Sequence, residues 1–243
     1  MDFIESSVLL LKNQRMIFHS EDDLKFSLAI SIKENNPDFH IRLERPVAIE
    51  MIDRNNKKSI VRAPIDMIVI DDKGNTIPIE LKYKTKKTNI SHNGEDYLLT
   101  NHGATDIGRF SFRKDIYRIE QYLLKHTRCD VGYVLVLTND HAYFENNVFE
   151  KNIIDKHFSF HHGFLINRLD KSWNYESIDK AKYVLDITDN TWRYCNQPEK
   201  HWTCKKELFY KLDLVKDYEI DWKDYSKIRN IVFKYCLIRV DKY

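Results

Sequence analysis

Apolar and polar positions along the chain follow two rhythms, one helical and one alternating. In SEDDLKFSLAISIKE (20–34), Leu24, Phe26, Leu28, Ala29, Ile30 and Ile32 fall on one broad arc when each residue advances by 100°. Ser20 stands before that run as an N-cap, and Asp23 occupies the reciprocal capping position. FHIRLERPVAIEMI (39–52) mixes polar and apolar residues and reads as a strand. APIDMIVIDDKGNTIPIELKYKT (63–85) predicts two further strands, 64–70 and 76–83, around the turn signal Asp72-Lys73-Gly74-Asn75. The Lys- and Asn-rich segment that follows, 84–110, has little regular patterning. RKDIYRIEQYLLKHT (113–127) returns to helical spacing, with Ile116, Ile119, Tyr122 and Leu123 on one face. VGYVLVLTND (131–140) is a continuous apolar run, as in a strand covered on both faces. Helix, three strands, helix and strand in this order predict an α/β fold with a central mixed sheet. Beyond residue 145 only YVLDI (183–187) and IRNIVFKYCLIRV (228–240) stand out, both strand-like. The expectation is a single domain over 1–243, with a core of about 18–140 and a β-rich C-terminal extension of about 141–243.

Charges interrupt two of these strands. Asp66 breaks the first apolar run, and Glu80 and Lys82 alternate with Ile79, Leu81 and Tyr83 in the second. A two-residue loop at Lys73-Gly74 sets Asp66 opposite Leu81, diagonally near Glu80 and Lys82. A loop at Gly74-Asn75 slips the pairing by two residues and keeps the groups close. Glu80 and Lys82 are two apart, so they leave the same face of the sheet. Desolvated carboxylates repel one another and must be paired or bind a cation. Oxygen ligands from Asp66 and Glu80 suit Mg²⁺, which keeps waters and accepts phosphate oxygens. Lys82 would then orient or deprotonate an attacking water, or offset charge on the reacting phosphate. The plain alternative is a surface salt bridge between Asp66 and Lys82. On the first helix, Glu21 lies inside the apolar arc near Leu28 and Ile32, whereas Asp23 lies outside it. Glu21 can therefore reach the same place, or simply be a first-turn acid favoured by the helix dipole.

These residues carry a resemblance. PID (64–66) followed by IELK (79–82), with Glu21 on the preceding helix, resembles the PD-(D/E)XK nuclease superfamily, whose shared core is an αβββαβ arrangement around a mixed sheet. SEDDLKFSLA, IRLERP, IELKYKT, GATDIGRFSFRKDIYRIE and LTND also resemble, in order, the blocks of a bacterial group of uncharacterised nuclease-like proteins. The blocks cover about residues 18–140. The resemblance implies a restriction-endonuclease-like core and a metal-dependent nuclease that hydrolyses phosphodiester bonds, DNA favoured over RNA. Asp66, Glu80 and Glu21 would be the acids that hold Mg²⁺ or Mn²⁺, with the Leu81 carbonyl beside them and Lys82 as the catalytic lysine. Asp115, Arg118, Glu120 and Gln121 lie on the helix from which related nucleases turn polar residues toward the site. A solvated face with Asp115 paired to Arg118 at i,i+3 explains them more simply. The rival functions are a nucleic-acid-binding or regulatory module that does not cut, and an interaction protein with an incidental motif.

Composition adds limits more than direction. The 243 residues are 42% hydrophobic and 31% charged, with a formal net charge of +2, which permits a nucleic-acid partner without arguing for one. Lys84, Lys86 and Lys87, with Arg109 and Arg113 further on, form the candidate phosphate-contacting run in the long segment after the motif. Cys129, Cys195, Cys204 and Cys236 contain no CxxC and suit free thiols in a reducing compartment, and the short apolar stretch Val8–Leu11 is neither signal peptide nor span. A cytoplasmic protein with no membrane partner is expected, and a homodimer is compatible with these features. Cys195, His201 and Cys204 have irregular spacing for zinc, and His161-His162 has no evident partner. Trp173, Trp192, Trp202 and Trp222 suit core packing better than base stacking.

Overall fold

The computed structural model describes residues 3–146, 153–177, 183–186, 191–194 and 201–243. Two helices lead, α1 (Phe3–Gln14) and α2 (Glu21–Asn35). Three antiparallel strands follow, β1 (His40–Asp53), β2 (Lys58–Ile70) and β3 (Thr76–Lys84). A small hairpin, β4 (Thr88–His92) and β5 (Glu95–Leu99), precedes the long helix α3 (Thr105–Lys125). The chain then returns as β6 (Val131–Thr138), parallel to β3, which makes the sheet mixed. The short helix α4 (His141–Phe144) leads into the C-terminal region. That region holds β7 (Leu165–Ile166), β8 (Tyr183–Asp186), β9 (Thr191–Tyr194), β10 (Tyr210–Lys211), β11 (Tyr218–Glu219), β12 (Trp222–Ile228) and β13 (Ile231–Asp241). Among the described residues no helix is long and apolar enough to cross a membrane.

The seven-stranded sheet runs β10-β1-β2-β3-β6-β13-β12. Its C-terminal strands therefore complete it at both edges: β13 pairs with β6, and β10 with the far end of β1. The expected β-rich C-terminal region is present, and its strands are built into the central sheet. Both faces are covered, as the unbroken apolar run of β6 requires. Leu135 and Leu137 pack with α1 and α2, while Val134 and Val136 pack with α3 and the C-terminal loops. The same alternation splits β3, with Ile79, Leu81 and Tyr83 buried on the α2 side.

The expected helix at 20–34 is α2, and Ser20 Oγ accepts from the Asp23 N–H at 3.1 Å. The reciprocal arm is displaced by one residue, since Asp23 Oδ2 accepts from His19 N–H at 2.9 Å. The wheel was too generous: Leu24, Leu28 and Ile32 are buried, but Phe26 and Ile30 are exposed. α1 is an element beyond those expected, and Ile4, Val8 and Leu11, all buried, give it helical spacing. α3 begins eight residues before the expected start at 113. Its inward face includes Arg109, Arg113, Asp115 and Glu120, charged positions that hide the apolar period.

Candidate active site

Register decides which charges meet. The β2–β3 ladder pairs Ile70 with Thr76 and Met67 with Ile79, so five residues form the turn. Both anticipated loops are thereby corrected: continuing this register sets Asp66 opposite Glu80, not Leu81. Opposed residues on antiparallel strands share a face, so Asp66 joins Glu80 and Lys82. Asp71 shapes the longer turn, accepting from Lys73 N–H at 2.9 Å and Asn75 N–H at 2.7 Å.

At Met67–Ile79 the ladder stops. β2 continues along β1, while β3 continues along β6, and a notch opens between them. Asp66 lies in that notch, where its Oδ2 accepts from the Leu81 N–H at 2.8 Å in place of a strand carbonyl. Opposite it on β1, Glu44 has φ of +52°, a left-handed conformation that marks the local break in pairing. The start of α2 closes the other side: Glu21 Oε2 accepts from the Tyr83 N–H at 2.9 Å.

Lys82 occupies the centre. Its Nζ lies 3.3 Å from Asp115 Oδ2, 3.7 Å from Asp66 Oδ2 and 3.8 Å from Glu21 Oε1, and donates to the Leu81 carbonyl at 2.9 Å. Burial alone would lower its pKa, but Asp115, Asp66 and Glu21 outweigh it and raise the pKa above the ordinary lysine value. Asp66 moves the other way: burial pushes its carboxyl up, Lys82 pulls it down, and the net shift is downward. Glu80 is fully buried and its pKa is raised, by burial first, against the opposing charge of Arg118. Arg118 Nη2 lies 3.0 Å from Glu80 Oε1, and Nη1 lies 3.5 Å from Asp115 Oδ1. The Arg118 guanidinium also donates to the Pro64 carbonyl.

Four expected residues, Glu21, Asp66, Lys82 and the Leu81 carbonyl, thus meet in one notch, with Glu80 directly beneath. Asp115 and Arg118 are the two α3 residues that complete the cluster. They do pair at i,i+3, but Asp115 is 1% exposed, so the solvated helix face is corrected to a buried, inward one. Glu120 and Gln121 do not join them. Glu120 instead accepts from Tyr218 Oη at 2.7 Å and the Val215 N–H at 3.0 Å. Sequence reading also missed Lys25, one helical turn after Glu21. It is buried, pairs with Asp22 at 2.8 Å and with Glu44, and acts electrostatically on Asp66. The i,i+4 spacing of Glu21 and Lys25 was the available signal.

The donor set suits a hard cation. Glu80 Oε1 and Oε2 and Asp115 Oδ2 are buried without a hydrogen bond among the described residues, although Arg118 lies 3.0 Å from Glu80 Oε1 and Lys82 3.3 Å from Asp115 Oδ2. Glu80 Oε2 has neither a hydrogen bond nor an ion pair there, and a divalent ion satisfies such an oxygen. In this arrangement no three acid, histidine or cysteine side chains among the described residues stand at ligand spacing, because the Lys82 ammonium lies between them.

The basic run divides. Lys84 is half-buried, and Lys86 and Lys87 are exposed, with Lys86 Nζ 2.9 Å from His141 Nε2. Arg109 and Arg113, expected to meet phosphate, are buried and spent inside the fold. Arg109 pairs with Asp155 and donates to the Ala142 carbonyl at 2.6 Å. Arg113 donates to the carbonyls of Leu212, Asn167 and Arg168 at 2.8–3.0 Å. Together they bind α3 to the C-terminal region, so their role as phosphate contacts is corrected to a structural one. Cys195 lies outside the described residues and Trp192 stands on β9; His201 accepts from Thr203 N–H. His162 Nδ1 accepts from the Trp222 N–H at 3.1 Å, which supplies the partner the sequence did not show.

The chain matches no family model and no curated protein. A solved structure described as "Crystal structure of SSO0001" is similar to it at 18% identity, with a TM-score of 0.26, over 48% of this chain and 45% of that one. The chain thus spans under half the length of that structure, and a likeness so slight carries no argument about fold or function.

Proposed function

We propose that the protein is a metal-dependent nuclease, with α2, β1, β2, β3, α3 and β6 forming a restriction-endonuclease-like core of the PD-(D/E)XK type. The observation that carries this reading is the convergence of three carboxylates, Glu21, Asp66 and Asp115, within 4 Å of the Lys82 ammonium, above a fully buried Glu80. Isolated salt bridges do not need four acids from two helices and two strands. Asp66, Glu80, Glu21 and the Leu81 carbonyl would hold Mg²⁺ or Mn²⁺. When bound, such an ion neutralises phosphate charge and makes water a better nucleophile near neutral pH.

Lys82 is the catalytic lysine in this scheme. Its Nζ, 3.3–3.8 Å from three carboxylates, is placed to hold a phosphate oxygen or to orient or deprotonate the attacking water. Glu21, whose side chain is 36% exposed, is the carboxylate open to solvent and is placed to orient that water. Arg118 holds Glu80 and Asp115 from behind. DNA is the favoured substrate, and Lys84, Lys86 and Lys87 the favoured surface contacts for its backbone.

One observation favours a second reading. Glu80 is turned to Arg118, and no three ligands stand together among the described residues, as suits a module that binds nucleic acid without cutting. Incubating the protein with single- and double-stranded DNA and RNA, in Mg²⁺ or Mn²⁺, separates the two. The nuclease reading expects cleavage that chelator stops and that Glu80→Ala and Lys82→Ala each abolish in folded protein. Cleavage that survives both substitutions refutes the site, and binding without cleavage under either metal favours the second reading.

A further inference from the structure

Beside the acid cluster, the first turns of α3 and the 202–208 segment enclose a cleft of about 900 Å³. That is at the upper end of the range in which ligand pockets fall. Asp106, Ile107 and Lys114 line one wall, and Trp202, Lys205 and Glu207 the other. The cleft and the acid cluster share a boundary. Lys114 precedes Asp115 and feels the charges of Asp115, Arg118 and Lys82 on one side and of Glu207 across the cleft. Trp202 is half-buried, with its ring held edge-on to the buried Trp173 at 5.3 Å. An aromatic ring fixed in a concave wall, with Lys205 on the same wall and Lys114 on the facing one, has the parts that single-stranded nucleic acid needs: a stacking surface and backbone charge neutralisation.

We propose that this cleft seats an unpaired nucleotide next to the phosphodiester held at Lys82, which makes single-stranded or frayed nucleic acid the substrate class. The base lies against Trp202, and the backbone passes between Lys205 and Lys114. Asp106 and Glu207 repel phosphate, so they face the base, where a carboxylate accepts from ring or exocyclic N–H groups. In a duplex both faces of each base are covered by its stacked neighbours, so a base free to stack on Trp202 is an unpaired one. The inference rests on the nuclease reading for what happens to the strand, but not for its binding.

The test is equilibrium binding in EDTA, where no cleavage intrudes, of a fluorescein-labelled twelve-nucleotide thymidine strand and of a duplex of equal length. Fluorescence anisotropy reports both. The single strand binds more tightly than the duplex at equal salt. Trp202→Leu weakens it about tenfold, within the range of one lost base stack, while Trp202→Phe keeps most of the affinity. Lys205→Gln lowers the salt dependence by about 0.7 in the log–log slope, one phosphate's worth. Lys227→Gln, exposed on β12, changes nothing. Tighter duplex binding, no binding of either probe, or equal losses for Leu and Phe at position 202 each overturn the cleft. Cleavage in Mg²⁺ that persists with any of those results leaves the nuclease reading standing. Trp202-dependent binding with no cleavage in any metal removes that reading and keeps the cleft.

Discussion

Replacing Lys82 with methionine tests whether the acids of the notch form one coupled group. Methionine keeps the stem's volume and removes a charge that lies within 4 Å of Asp115, Asp66 and Glu21. The Lys82 side chain is 16% exposed, so solvent relieves little of the repulsion left behind. Removing one partner of a buried pair costs about 3–5 kcal/mol, and the partial exposure here argues for about 3. For a chain of this size that lowers Tm by about 6–12 °C. The sign of the pH dependence follows from Asp66. Its folded pKa is depressed, so it contributes stability above the ordinary value of 3.8, and that stability is lost as pH falls through the folded pKa. Without Lys82 the contribution disappears, so the gap between variant and wild type is full at pH 7–8 and narrows in acid. A divalent cation should replace the missing charge, so Mg²⁺ raises the midpoint of Lys82→Met more than that of wild type. Urea unfolding at pH 8 and at a pH below 3, under the ordinary value of 3.8, reads the pH dependence, and the pH 8 series repeated with Mg²⁺ reads the cation's effect. An unchanged midpoint at pH 8, or a gap that widens in acid, would refute the coupled cluster.

Three other outcomes follow from the same structure. Arg118→Met strands the buried Glu80 and Asp115 carboxylates and destabilises by about 3 kcal/mol; adding Glu80→Gln recovers part of that, so the double-mutant cycle shows a coupling above about 0.5 kcal/mol. Glu120 is held mainly by burial at a pKa of about 7 against an ordinary 4.5, so the unfolded chain loses its proton first and stability falls with rising pH between those values. The total is about 3 kcal/mol, and Glu120→Gln, followed by urea midpoints from pH 4 to 8, should flatten that slope. Gly132→Ala would put a Cβ 2.5 Å from Ile119 Cγ2 and 3.0 Å from the Pro78 carbonyl, across the contact between α3, β3 and β6. Overpacking there should cost about 1–3 kcal/mol in thermal unfolding.

The core order of helix, strands, helix and strand was legible because those elements keep their periods: β6 is apolar throughout, and α2 carries a true N-cap. What was obscured is where charge entered the interior. The charged inward face of α3 masked its first two turns and made Arg109 and Arg113 look like phosphate contacts, when both bind the C-terminal region to the helix. The hairpin register could not be read from Gly74, because the longer turn depends on the side-chain hydrogen bonds of Asp71. That register matters, since a one-residue slip would have sent Asp66 to the opposite face of the sheet from Glu80. The cluster itself was half legible. Glu21, Asp66, Glu80 and Lys82 are spaced to meet, but Asp115 and Lys25 join only through packing between elements.

The proposed nuclease chemistry needs a divalent cation in the notch beside Lys82. Mn²⁺ titrated into the folded protein and followed by electron paramagnetic resonance measures this directly. Saturable binding is expected in wild type, lost in Asp66→Asn and retained in Lys205→Gln. Binding that is absent from wild type, or unchanged by Asp66→Asn, would contradict the proposed chemistry.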